Sequence, residues 1–107
     1  DTVFALASAR GKAGVAVFRI SGPRAHEVLV LLAGDLPPAR QAVLRTLCCN
    51  GQQIDQGLII RFDAGSSFTG EDVAELQVHG SSAVVAAIHA SLGAMPGFRL
   101  AEPGEFT

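Results

Sequence analysis

The residues best placed to do chemistry lie near the middle of the chain, where Glu75, Gln77 and His79 alternate with Ala74, Leu76 and Val78. A period of two is that of a β-strand, so residues 71–79 read as a strand whose polar face carries a carboxylate, an amide and an imidazole in a row. Such a row can bind a polar ligand, and it can equally be the solvated side of a half-buried strand. Arg19 shares a face with Val15 and Val17 by the same alternation. It is either a cation offered to a ligand or a side chain that snorkels from a strand end. Phe68, in the polar loop before residue 71, is either a lid or stacking group for a planar ring, or an anchor that pins its loop to the core.

Other chemistries lack their residues. Gly11-Lys12 is followed by Ala13, and Leu6 stands where a phosphate-binding loop would need its first glycine, so this stretch does not hold a nucleotide triphosphate. There is no Gly-x-Ser-x-Gly elbow and no His-Glu-x-x-His, and His26, His79 and His89 have no metal-like spacing among themselves. Neither a catalytic residue nor a metal centre is expected. Adjacent Cys48 and Cys49 could join only in a strained ring and are read as reduced core thiols. The net charge is −2, and the eight basic residues, one of them Lys, are scattered, which speaks against a grip on a nucleic-acid backbone. No apolar run reaches the roughly eighteen residues of a membrane span, and no leader pattern opens the chain, so a cytoplasmic protein with no membrane partner is expected.

The elements that must position these residues follow from periodicity. Residues 2–7 and 15–20 are short apolar, β-branched runs around a glycine-bearing loop and read as two strands. Ser21-Gly22-Pro23 starts a helix with Ala25, Val28, Leu29 and Leu32 on one face, ending at Gly34. Residues 42–49 and 56–62 flank Asn50-Gly51, a hairpin signal, and polar Gln52, Gln53 and Asp55 suggest a turn longer than two residues. After the strand at 71–79, Ser81 or Ser82 caps a second helix with Val84, Val85, Ile88 and Leu92 as its stripe, and a last strand covers 98–100. The order β-β-α-β-β-β-α-β, in one domain of 107 residues, predicts an α+β fold with helices packed on a mixed sheet. Hydrophobic residues make up 49% of the chain, enough that some apolar surface is expected to be covered by a partner.

Three stretches carry a resemblance: Gly11-Lys12-Ala13-Gly14-Val15 running to Arg19-Ile20-Ser21-Gly22, then the block from Ser67-Phe68-Thr69-Gly70-Glu71-Asp72 to His79-Gly80, and Pro103-Gly104-Glu105-Phe106-Thr107. Together with Asp1-Thr2 and Asp55-Gln56-Gly57, and in this order along the chain, they resemble the N-terminal domain of the MnmE (TrmE) family. The chain departs from the family pattern at Ala9-Arg10, where two prolines are common, at Ala13, often Gly, and at Ser81, where a second Gly is usual.

The resemblance implies a folate-binding half-unit like that of aminomethyltransferases, paired as a homodimer around a reduced folate such as 5-formyl-tetrahydrofolate. Arg19 and Glu75 fall on the family's folate-binding positions, and a family Lys would lie beyond Thr107; Gln77 and His79, by strand alternation, and Phe68, by its place in the loop, are the further candidates to line that pocket. The resemblance also implies that residues 1–107 are a piece of a longer protein, with a helical domain and a GTPase using GTP, potassium and magnesium elsewhere. With its flavin-containing partner MnmG, that family adds an aminomethyl or carboxymethylaminomethyl group to the wobble uridine of tRNA.

Overall fold

The computed structural model describes residues 1–7, 14–66 and 69–102. In chain order it contains β1 (Thr2–Leu6), β2 (Val15–Ser21), α1 (Ala25–Ala33), β3 (Val43–Cys49), β4 (Gln52–Phe62), a short 3-10 turn (Ala64–Ser66), β5 (Val73–His79), α2 (Ser82–Gly93) and β6 (Phe98–Leu100). The six strands form one sheet in the order β3-β4-β5-β2-β1-β6. All neighbours are antiparallel except β1 and β6, which run parallel, so the fold is the mixed-sheet α+β arrangement that the pattern predicts.

Strand alternation divides the residues between two faces. Register sets Phe4 opposite Ile20, Phe18 opposite Leu76 and Leu76 opposite Ile59. These side chains are fully or almost fully buried, and they form one cluster with Val28, Leu29 and Leu32 of α1 and Ile88 and Leu92 of α2. Both helices therefore cover the same face, where the hydrophobic gain is concentrated. Arg19, Glu75 and Gln77, one residue out of phase with that cluster, are on the opposite face, which no helix among the described residues covers.

Two helix ends are those the sequence signals, but the start of α1 is not: Ser21 closes β2 and uses its hydroxyl on Thr69 and Glu71, and α1 begins at Ala25 after Arg24, with no side-chain cap. Ser81 Oγ accepts the Val84 N–H at 3.3 Å at the start of α2, and α1 stops at Gly34, whose left-handed backbone (φ 74°) lets its N–H reach the Val30 carbonyl at 2.9 Å. Of the expected α2 stripe, Ile88 and Leu92 are fully buried, while Val84 and Val85 pack half-buried at its edge. Among the described residues, no helix is long and apolar enough to cross a membrane.

The β3–β4 hairpin is tighter than the polar residues after it suggest. Asn50 and Gly51 both take positive φ, 52° and 77°, as a two-residue type I′ turn requires, and β4 begins at once with Gln52. Gln52 and Gln53 are solvent-exposed strand residues. Pairing then steps from Cys48↔Gln53 to Leu47↔Asp55, which leaves Ile54 as the extra residue of a bulge, packed against the core. Farther along β4, a Cβ at Gly57 would sit 2.6 Å from the Gln77 carbonyl oxygen, so a larger residue would push β4 away from β5. Cys49 is buried with its Sγ 3.8 Å from the Ala87 carbonyl, Cys48 is half-buried, and both are free thiols.

Candidate ligand-binding face

The two strands at the middle of the sheet, β2 and β5, place Arg19 directly opposite Glu75. Arg19 Nε donates to Glu75 Oε1 at 3.2 Å, and Gln77 Nε2 donates to Glu75 Oε2 at 2.7 Å. Glu75 is only 9% exposed although no helix among the described residues lies over it. It is thus not the solvated decoration that strand alternation alone allowed. An ionised carboxylate has about four acceptor sites, so with one donor on each oxygen Glu75 retains capacity for two side-by-side donors. The Arg19 side chain beside it is 39% exposed.

Apolar side chains rim this pair. Val15 and Leu44 are 43% and 59% exposed, and Leu58 and Ile60 are half-buried. Val15, Leu44, Leu58, Gln77 and His79 line a shallow hollow of about 180 Å³ at one end of the face. There Asp55, its side chain 10% exposed, clamps His79 twice: one oxygen accepts the His79 backbone N–H at 2.8 Å and the other accepts the ring Nδ1–H at 2.8 Å. Burial pushes the Asp55 carboxyl up, but the N–H groups of His79 and Gln56 outweigh it and hold the group below the usual 3.8. Sequence reading placed His79 on this face and missed its partner, because 24 residues separate the two and only the β4–β5 pairing joins them.

The described parts of two motif stretches, residues 14–22 and 69–80, serve the same region, while residues 11–13 and 103–107 lie outside the described residues. Ser21, next along β2 on the open face, is 2% exposed, and its Oγ lies 2.9 Å from Thr69 Oγ1 and donates to Glu71 Oε1 at 3.3 Å. The Gly22 N–H donates to the Asp72 carbonyl at 3.0 Å. These bonds hold the loop before β5 against the end of β2, which is why the strand starts at Val73 rather than at 71. A Cβ at Gly22 (φ 142°) would fall 2.7 Å from Thr2 Cα, so Arg19-Ile20-Ser21-Gly22 combines a charged contact, a core residue, a loop clasp and a close backbone approach. Phe68 lies outside the described residues.

A separate cluster escaped the histidine spacing. His26, Asp63 and Asp72 bring three possible ligand atoms within 4.8 Å of one another. His26 Nε2 is 3.0 Å from the Phe62 carbonyl, Asp63 pairs with Arg61 at 3.1 Å, and Asp72 accepts the Ala64 N–H at 3.0 Å, so the group fastens the 3-10 turn to α1. A groove of about 720 Å³ lies between α1, α2 and the hairpin tip.

Comparison with known proteins places this architecture. Residues 2–107 match the family described as GTP-binding protein TrmE N-terminus. The chain belongs to that family. It is 55% identical over 107 residues to a protein of Cereibacter sphaeroides, 56% identical over 108 residues to one of Ruegeria pomeroyi and 52% identical over 107 residues to one of Caulobacter vibrioides, each named tRNA modification GTPase MnmE. Each alignment takes in the whole of this chain, which spans only about a quarter of the length of these relatives, 24–25%. In this member of the TrmE N-terminal family, Arg19, Glu75, Gln77 and His79 share the open sheet face.

Proposed function

We propose that this chain is the reduced-folate-binding, homodimerising N-terminal domain of a cytoplasmic tRNA modification GTPase of the MnmE type, acting with the flavin-containing MnmG on the wobble uridine. The observation that carries the ligand reading is the Arg19–Glu75–Gln77 arrangement: a nearly buried carboxylate with spare acceptor capacity, in the middle of a sheet face that no helix among the described residues covers. A reduced pterin presents a ring N–H and an exocyclic NH2 side by side, which match the two oxygens of one carboxylate. The glutamyl tail of a folate is anionic and suits Arg19. The apolar rim of Val15, Leu44 and Leu58 supports pairing of two copies across this face, the second copy closing the ligand in.

The domain itself supplies binding and pairing. Its sequence holds no phosphate-binding loop, so GTP, potassium and magnesium are assigned to the part of the MnmE-type protein beyond this homologous region. Titration calorimetry with 5-formyl-tetrahydrofolate, run beside light scattering, tests the reading: saturable binding to a dimer is expected. A dimer indifferent to folate would leave only an assembly module, and a monomer that binds nothing would remove both parts of the proposal.

A further inference from the structure

The proposed folate reading makes no use of His26, Asp63 and Asp72, and one contact among them is unsatisfied. A carbonyl oxygen can only accept, so His26 Nε2, 3.0 Å from the Phe62 carbonyl, carries the ring hydrogen. In the neutral ring Nδ1 is then a bare lone pair, and it faces Asp72 Oδ2 at 3.7 Å. Two acceptors meet there. The Ala64 N–H takes the other Asp72 oxygen at 3.0 Å, which leaves Oδ2 for the ring. Were Nδ1 protonated, a charge-assisted hydrogen bond would close the gap to about 2.8 Å. The observed 3.7 Å instead suits a zinc-sized cation between the two atoms, about 2.0 to 2.2 Å from each.

Asp63 supplies a third ligand atom, since the three residues each offer one within 4.8 Å of the others. Arg61 holds Asp63 only loosely. Its Nη2 donates to Oδ2 at 3.4 Å, while its buried Nε, 3.1 Å from Oδ1, makes no hydrogen bond among the described residues. Asp63 Oδ1 therefore keeps acceptor capacity, and two carboxylates against one guanidinium leave the group net negative. One imidazole nitrogen with two carboxylates suits Zn2+ or Mn2+ better than Mg2+, which takes oxygen ligands. We propose that His26 Nδ1, Asp72 Oδ2 and Asp63 Oδ1 bind a divalent transition-metal cation, with water completing its shell. The cation ties the first turn of α1 to both ends of the segment between β4 and β5, whose Thr69 and Glu71 also clasp Ser21.

The test follows thermal unfolding of the wild-type chain with ZnCl2 or MgCl2 and without folate, so its outcome is separate from the folate reading. Saturating Zn2+ is expected to raise the midpoint by about 4 °C or more, and Mg2+ to leave it in place. Asp72→Asn is the discriminating variant. Its oxygen can keep the Ala64 N–H while its NH2 donates to His26 Nδ1, so the fold gains the missing hydrogen bond and the cation loses a ligand. The metal-free midpoint should stay at or above that of the wild type, and the Zn2+ shift should disappear. Where Asp72→Asn does not fold, His26→Gln carries the same criterion, because its amide NH2 can still reach the Phe62 carbonyl. A wild-type midpoint that Zn2+ does not move overturns the inference. So does a Zn2+ shift that survives in the variant, which means adventitious binding at an exposed group such as His79, and so does an equal shift with Mg2+, which means general charge neutralisation.

Discussion

At the scale of single residues, the face opposite the helices is organised by one nearly buried carboxylate. Glu75 has Arg19 on one oxygen and Gln77 on the other, so its environment is charged and paired rather than solvated. Arg19→Ala should leave that carboxylate short of its cation and lower stability by about 1 to 3 kcal/mol, a figure kept below that of a fully buried pair because Arg19 is part-exposed. Urea denaturation measures it. The pairing could not be read from the sequence, since Arg19 and Glu75 are 56 residues apart and only the β2–β5 register makes them neighbours. Their shared polar character was legible from alternation alone. Asp55 gives a pH prediction. Its carboxyl titrates below 3.8 in the fold, so it contributes stability that is present above the unfolded value and is lost as pH falls through the lower folded value. Thermal unfolding followed from pH 5 downward should therefore show a steeper acid loss in the wild type than in Asp55→Asn, and equal slopes would contradict the clamp.

At the scale of elements, the pattern of the chain carries most of the fold. All eight regular elements occur in the expected order, because each rests on a strong local signal: β-branched runs, an Asn-Gly turn, a Ser cap or a terminating Gly. The errors sit where a local signal was outvoted. Gln52 and Gln53 look like turn residues, yet the type I′ geometry of Asn50-Gly51 and the bulge at Ile54 let pairing begin immediately. Glu71 and Asp72 look like the start of a strand, yet their side chains are used to fasten the loop. Gly57 had no evident reason in the sequence. The structure supplies one, and Gly57→Ala should destabilise by about 1 to 3 kcal/mol through the forced separation of β4 from β5. Hydrogen exchange should show the loss at the β4–β5 amides and not at α1; uniform loss would mean that the contact with the Gln77 carbonyl is not the cause.

At the scale of the whole molecule, the two described helices form one layer on one side of a six-stranded sheet, and the proposed ligand and partner sites are on the other side. That side combines the Arg19–Glu75 pair with exposed Val15 and Leu44, which is the basis for placing ligand and second copy together. Leu44→Glu should shift light scattering from dimer to monomer, whereas Leu31→Glu, on the outer side of α1 and 58% exposed, should leave the dimer intact. The opposite result would move the interface to the helical side. The central claim is that Glu75 receives the paired donors of a reduced pterin, and the most direct measurement is the affinity of 5-formyl-tetrahydrofolate for the wild-type chain against Glu75→Gln. Gln keeps the shape but turns one acceptor into a donor facing a donor, so binding should weaken by about thirtyfold or more, equivalent to a lost charged hydrogen bond of about 2 kcal/mol. Equal affinity in the two proteins would show that Glu75 serves only as the partner of Arg19 and Gln77.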